Sequence, residues 1–138
     1  MDGPDRVFLD ANVLFSAAWR ESSGLLRLWA LPEVELMTSA YAAEEARVNL
    51  QEEAQRERLA ELIGRLQVAS GGLAELPAEV VLAEKDRPIL AAAIAAGATH
   101  LLTGDVSHFG KLFGKAVKGV LILRPAEYLH TYQLPHPG

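Results

Sequence analysis

Cysteine is absent from the 138-residue sequence, which excludes disulfide bonds and thiolate metal ligands. Aromatic residues are also scarce, at 7% of the chain, although 50% of the residues are hydrophobic. Alanine and leucine supply much of that apolar content, a composition that suits helices packed closely on a sheet. A chain of this length can bury a core, so we expect one domain over residues 1–138 with a frayed tail at about 133–138.

The sequence also lacks an excess of positive charge and long hydrophobic runs. The formal net charge is −5, which argues against nucleic-acid binding over the whole surface and leaves room only for a local basic strip. No apolar run reaches the roughly 18–20 residues that span a membrane. The N-terminal segment MDGPDR has no apolar core typical of a signal peptide. We therefore expect a soluble, cytoplasmic protein that does not contact membranes.

Short apolar runs alternate with segments of helical periodicity. The predicted strands are residues 7–10, 34–39, 99–105 and 119–123. The predicted helices are residues 11–20, 22–31, 40–50, 52–66, 87–98 and 125–132, with a short helix or turn at 107–114. Residues 80–83 form either a short strand or an extended lead-in. This alternation, with strands that are apolar throughout, predicts a parallel sheet covered by helices on both faces.

Three aspartates stand where the predicted elements meet. Asp10 ends the first strand, Asp105 ends the strand HLLTGD, and Asp86 precedes the helix that opens at Pro88. Taken singly, each can be a helix cap or a turn former. Taken together, they lie at the carboxyl edge of a parallel sheet, where ligands bind in α/β proteins.

Carboxylates held close together cannot all stay ionised without a counter-charge. Hard oxygen ligands select Mg²⁺ or Mn²⁺. An ion held in this way suits the hydrolysis of phosphodiesters. A Walker-type phosphate loop is absent from the sequence, so the acids carry the prediction of phosphate chemistry.

Four segments resemble one family in its order along the chain: VFLDANVLFSA, MTSAYAAEEARVNL, EKDRPILAAAIAAGATHLLTGDVSHF and GVLILRPAEYL. They are similar to the PIN-domain family, the metal-dependent ribonucleases that include VapC-type toxins of toxin–antitoxin pairs. The resemblance implies a three-layer α/β/α sandwich with four or five parallel strands. It also implies an acidic quartet that binds Mg²⁺ or Mn²⁺ and cleaves RNA.

The resemblance assigns site residues one by one. The implied metal-binding and catalytic acids are Asp10, Glu45, Asp86 and Asp105. The implied supporting residues are Asn12, Ser39 and Thr103, and Ser107 is a further candidate for a supporting role. Many family members carry a further acid two residues after the last aspartate, where this chain has Ser107. The sequence therefore leaves open whether the site holds one ion or two, and whether it is fully active.

The glutamate assignment has a rival on the next residue. Glu45 falls on the same helical stripe as Tyr41 and Val48, which favours an inward position. Glu44 remains the reserve candidate, and both side chains could instead lie on a solvated face. His108 could contact a phosphate or a metal-bound water, or it could be structural.

Basic residues near these acids could contact RNA phosphates, or they could form an ordinary solvated surface. The candidates are Arg47, Arg87, Lys111 and Lys115. An apolar patch on the first two helices would suit a dimer face or an antitoxin groove, and the resemblance implies a homodimer and an antitoxin partner.

Two other functions compete with the ribonuclease. A PIN-like domain with a weak or inactive site would only bind RNA or protein. A haloacid-dehalogenase-type phosphohydrolase also opens on a strand ending in aspartate, but it needs a second aspartate where this chain has Asn12.

Overall fold

The structure is a computed structural model that describes residues 3–70 and 72–133. The tail expected at about 133–138 falls almost entirely outside these residues. The strands are β1 (Asp5–Leu9), β2 (Val34–Ser39), β3 (Gln67–Ala69), β4 (His100–Leu102), β5 (Ala116–Val117) and β6 (Val120–Leu123). The helices are α1 (Ala11–Ala18), α2 (Ala40–Asn49), α3 (Glu53–Gly64), α4 (Arg87–Ala95), α5 (Val106–Phe109) and α6 (Pro125–Gln133), with 3₁₀ helices at Gly24–Ala30 and Gly110–Leu112.

The strands form one six-stranded sheet in the order β3-β2-β1-β4-β6-β5. Neighbouring strands from β3 to β6 are parallel, and only the β5–β6 hairpin is antiparallel. Helices flank this sheet, which confirms the predicted α/β fold. The short strands β3 and β5 were not predicted, and residues 80–83 contain no strand.

β1 occupies the centre of the sheet because its apolar run is buried completely. Val7, Phe8 and Leu9 have no exposed surface, as expected for a parallel strand covered on both faces. The chain runs from β1 outward to β2 on one side, and β4 pairs with β1 on the other. The strand order therefore reverses between β1 and β4, and a crevice opens at such a point beyond the strand ends.

The register of β1 and β4 places their ends side by side. Leu9 is the Cα partner of Leu102, and the backbone N–H of Asp10 donates to the Leu102 carbonyl at 3.1 Å. The residues that follow each strand therefore emerge next to each other. This register brings Asp10 close to the segment from residue 103 to residue 105.

The helices cover the sheet through small and aliphatic side chains. Val13, Leu14, Ala17 and Ala18 form the buried stripe of α1, which packs on α2 and α3. None of the helices in the described part of the chain has both the length and the apolar character that crossing a bilayer requires.

The end of α4 sets the start of β4. Gly97 has a φ of 74°, a left-handed conformation that glycine adopts without a Cβ penalty. Its N–H donates to the Ile94 carbonyl at 3.1 Å, and the N–H of Ala98 donates to the Ala93 carbonyl at 3.0 Å. This pair of bonds is a Schellman cap, and it turns the chain from α4 into the strand that leads to Asp105.

Candidate metal centre

Asp10 lies at the carboxyl end of the central strand and is only 3% exposed. Its Oδ1 accepts a hydrogen bond from the backbone N–H of Ala11 at 2.6 Å. Its Oδ2 accepts from the Thr103 hydroxyl at 2.8 Å and from the Asn12 amide at 3.2 Å. Burial raises the pKa of Asp10 from 3.8 to about 6, although the bonds from Thr103 and Ala11 oppose this shift.

Asn12 and Thr103 tie the ends of β1 and β4 together. The Asn12 amide nitrogen also donates to Thr103 Oγ1 at 3.2 Å, and Asn12 Oδ1 accepts from the Gly104 N–H at 2.8 Å. Thr103 Oγ1 accepts in turn from the Asp105 N–H at 3.1 Å. These two side chains fix the loop that carries Asp105 relative to Asp10.

Asp86 precedes α4 but does not cap it through its side chain. The carboxylate is 6% exposed, and burial raises its pKa while the charges of His108 and Lys85 oppose the shift. The segment before it is held to α2 by the Tyr41 hydroxyl, which donates to the Lys85 carbonyl at 2.9 Å. The simple capping explanation therefore does not account for this buried acid.

Asp105 precedes α5 and is oriented by its own loop. Its Oδ1 accepts from the Ser107 hydroxyl at 2.9 Å and from the His108 N–H at 3.1 Å. Burial tends to raise the pKa of Asp105, but these two hydrogen bonds and the charges of His108 and Lys85 outweigh it, so the pKa is below its usual value. Among Asp10, Asp86 and Asp105, Asp105 is therefore the one whose ionised form the protein favours.

His108 lies between two of the acids. Its Nδ1 is 2.6 Å from Asp105 Oδ2 and 2.9 Å from Asp86 Oδ2. Ligand atoms of Asp86, Asp105 and His108 all lie within 4.8 Å of one another. His108 was only a weak candidate before the fold was known, because nothing in the sequence shows that α5 packs beside Asp86.

α2 contributes Glu45 to the same region. Glu45 is partly buried and lines a cavity of about 340 Å³ at the carboxyl edge of the sheet. Glu44 is exposed and pairs with Arg47, whose Nε and guanidinium nitrogen donate to it at 2.9 and 2.6 Å. The geometry therefore favours Glu45 over Glu44 as the acid of α2.

One cavity brings the four predicted acids together. Its polar wall includes Asp10, Asn12, Glu45, Lys85, Asp86 and Asp105. The negative charges of Asp86 and Glu45 add to the burial that raises the pKa of Asp10. Among the described residues that line this cavity, Lys85 is the one basic residue. It adjoins Asp86 and was not among the residues predicted from the sequence.

Several predicted residues lie elsewhere. Ser39 caps α2, its hydroxyl accepting from the Ala42 N–H at 3.1 Å, and Ser107 reaches the site only through Asp105. Arg87 lines a different cavity beside Ala91, and Lys111 and Lys115 line a third one beside β5.

The side chains fit a divalent cation. Asp86 Oδ2 and His108 Nδ1 are buried in the described structure without a hydrogen-bond partner, and buried polar atoms are rarely left so. An ion would satisfy both atoms and neutralise the clustered carboxylates. Carboxylate oxygens suit both Mg²⁺ and Mn²⁺.

The fold and the site thus define an α/β protein with an acidic cavity at the switch point of its sheet. The PIN domain profile matches residues 6–107, well over half of the chain, and the chain therefore belongs to the PIN-domain family. This finding confirms the resemblance seen in the sequence.

One solved structure supports the same architecture. It is the crystal structure of VapBC2 from Rickettsia felis bound to a DNA fragment from their promoter, in which a chain matches with a TM-score of 0.58 and 16% identity. The match covers 86% of this chain and 98% of that chain. At this identity the likeness shows the fold alone. No curated protein matches the sequence.

Proposed function

We propose that the protein is a divalent-metal-dependent endoribonuclease that hydrolyses RNA phosphodiesters, with residues 1–138 forming one nuclease domain. The observation that carries the proposal is the convergence of Asp10, Glu45, Asp86 and Asp105 on one cavity. Membership of the PIN-domain family supports it, since the family resemblance implies this activity.

The proposed metal ligands are the buried Asp86 and the pre-oriented Asp105, with Asp10 and Glu45 completing the negative charge. A bound Mg²⁺ or Mn²⁺ would supply an activated water and neutralise the phosphate oxygens. Both oxygens of Asp10 are already engaged in hydrogen bonds. Glu45 is therefore the carboxylate that we assign to accept the proton of the attacking water.

Lys85 is the candidate for holding the RNA backbone at this cavity. It is exposed on the cavity wall, and an ammonium group binds phosphate as a point charge. Arg47 is less suited because its guanidinium is paired with Glu44.

We further propose that the protein acts in the cytoplasm as the toxin of a toxin–antitoxin pair, as a homodimer with an antitoxin protein as its partner. The similar VapBC2 structure supports this proposal. Expression of the unsubstituted protein (the parent), but not of Asp10→Asn, would then arrest growth. Co-expression of the antitoxin would relieve the arrest.

The alternative is a PIN-like domain that binds RNA or protein without cutting. Two observations favour it: Ser107 stands where many family members carry an acid, and His108 lies against both Asp86 and Asp105.

A ribonuclease assay with matched variants separates the two functions. Purified parent, Asp10→Asn, Glu45→Gln and Glu44→Gln are incubated with end-labelled RNA and Mn²⁺, with and without EDTA. We expect Glu45→Gln to lose roughly 100-fold or more in rate, Glu44→Gln to cut like the parent, and EDTA to stop cutting. Equal cutting by the parent and by Asp10→Asn would indicate a contaminant and refute the nuclease. Mn²⁺ binding without cutting would favour the binding domain.

A further inference from the structure

We infer that His108 is itself a ligand of the metal, so that Nδ1 of its imidazole completes a site begun by Asp86 and Asp105. The inference rests on the proposed function and deepens it. The family resemblance implies oxygen donors alone, and this chain offers a nitrogen donor from the residue that follows Ser107.

The distances match those of atoms that share one ion. Ligand atoms bonded at about 2.1 Å and at right angles lie about 3 Å apart. Nδ1 lies 2.6 Å from Asp105 Oδ2 and 2.9 Å from Asp86 Oδ2, and ligand atoms of the three residues lie within 4.8 Å. Three residues from two separated segments of the chain therefore present their donors to one point.

The close contacts between His108 and the two aspartates do not have the geometry of hydrogen bonds. Among the residues that the structure describes, nothing makes a hydrogen bond to Asp86 Oδ2 or to His108 Nδ1, although both atoms are buried. Asp86 is 6% exposed and caps no helix through its side chain, and its Oδ2 lies 2.9 Å from His108 Nδ1. A shared cation would bind both atoms, which lie 2.9 Å apart without the geometry of a hydrogen bond.

Local hydrogen bonds orient the carboxylate of Asp105, the third proposed ligand. The Ser107 hydroxyl and the His108 N–H both bind Asp105 Oδ1, which leaves Asp105 Oδ2 facing His108 Nδ1. Partners of this kind orient metal ligands. Many family members carry an acid at the position of Ser107. In this chain Ser107 instead orients Asp105, and His108 provides the extra ligand.

A nitrogen ligand has a consequence for the choice of metal. Mg²⁺ prefers oxygen donors, whereas imidazole suits the transition metals. We therefore expect His108 to favour Mn²⁺ over Mg²⁺. Removal of His108 would then lower the Mn²⁺ affinity by at least about tenfold, the loss produced even by removing an outer partner of a ligand, and would change the Mg²⁺ affinity less.

The competing explanation is that a protonated His108 replaces the metal between the two acids. The two explanations predict opposite signs for one variant. If His108 is a metal ligand, His108→Ala binds Mn²⁺ more weakly than the parent. If His108 instead neutralises the two acids, His108→Ala binds Mn²⁺ more tightly.

Pulsed electron paramagnetic resonance of Mn²⁺ on the full-length protein tests the inference directly. The parent is compared with His108→Ala and with His130→Ala, which removes an exposed histidine on α6, and calorimetry gives the Mn²⁺ and Mg²⁺ affinities. We expect a histidine nitrogen coupling in the parent and in His130→Ala. In His108→Ala we expect no such coupling and a weaker Mn²⁺ affinity. Labelling the parent with ¹⁵N-histidine should alter the coupling.

The outcomes distinguish this inference from the proposed function. Mn²⁺ bound to the parent without nitrogen coupling, or bound more tightly by His108→Ala, would overturn the role of His108 and leave the metal-dependent nuclease standing. A parent that binds no Mn²⁺ would overturn both.

Discussion

Replacing Asp10 by asparagine should remove a pH-dependent loss of stability from the metal-free protein. Burial raises the pKa of Asp10 from 3.8 to about 6, so the folded state disfavours the ionised carboxylate. For an acid whose pKa is raised on folding, stability is lost as pH rises from the unfolded value to the folded one. The parent should therefore lose this contribution between about pH 4 and pH 6.

The size of the effect follows from the shift. A difference of about two pKa units corresponds to about 3 kcal/mol of unfolding free energy. Asn keeps the shape of Asp and has no carboxyl group to titrate. Its amide also disturbs the hydrogen bonds from Asn12 and Thr103, but that cost does not depend on pH. The measured quantity is therefore the change with pH in the stability difference between Asp10→Asn and the parent.

Urea unfolding at pH 4 to 8 in EDTA provides the assay. We expect the stability difference to move in favour of Asp10→Asn by about 2 kcal/mol between pH 4 and pH 7, because part of the total is already lost at pH 4, and to stay level above that. Glu57→Gln, which removes an exposed carboxyl on α3, serves as the control. A difference that stays flat across this range would refute the assignment of Asp10 as a buried acid kept ionised only at a cost.

Three further variants test other parts of the site. Thr103→Val leaves the groups bonded to its buried hydroxyl without a partner and should cost about 1–3 kcal/mol of unfolding free energy. Thr131→Val, on the exposed surface of α6, should cost less. Equal losses would count against a role of Thr103 in joining the ends of β1 and β4. Ser107→Ala removes a bond that orients the aspartate before α5 and should weaken Mn²⁺ binding by roughly tenfold in calorimetry; an unchanged affinity would contradict that role. Lys85→Ala should raise KM for RNA and reduce the salt dependence of binding by about one phosphate contact, unlike Lys118→Ala at another cavity, and an unaltered salt slope would exclude the contact.

The sequence predicted the parts of the fold that are apolar and central. β1, β2, β4 and β6 each carry a buried apolar run, and all four were found. β3 was missed because it is a short strand at one edge of the sheet, where Val68 is exposed and gives no burial pattern. Residues 80–83 were considered as a strand because of their valines, but Val81 is 86% exposed.

The acids of the site were predictable for a different reason. Asp10 and Asp105 end predicted strands, and parallel strands end at the same edge, so their proximity follows from topology. The position of His108 depends on how α5 packs beside Asp86. The sequence around His108 and the sequence around Asp86 do not show this contact. Lys85 was overlooked because an exposed lysine carries no periodicity, and only the cavity shows that it faces the acids.

The measurement that tests the central claim most directly is the rate of RNA cleavage as Mn²⁺ is returned to metal-stripped protein. The parent and Asp105→Asn are titrated in parallel with the same labelled RNA. We predict no cutting by the stripped parent, a rate that rises and saturates with Mn²⁺, and a loss of at least about tenfold in Asp105→Asn. Cutting that does not depend on added Mn²⁺, or that is equal in the two proteins, would contradict a metal-dependent ribonuclease at this site.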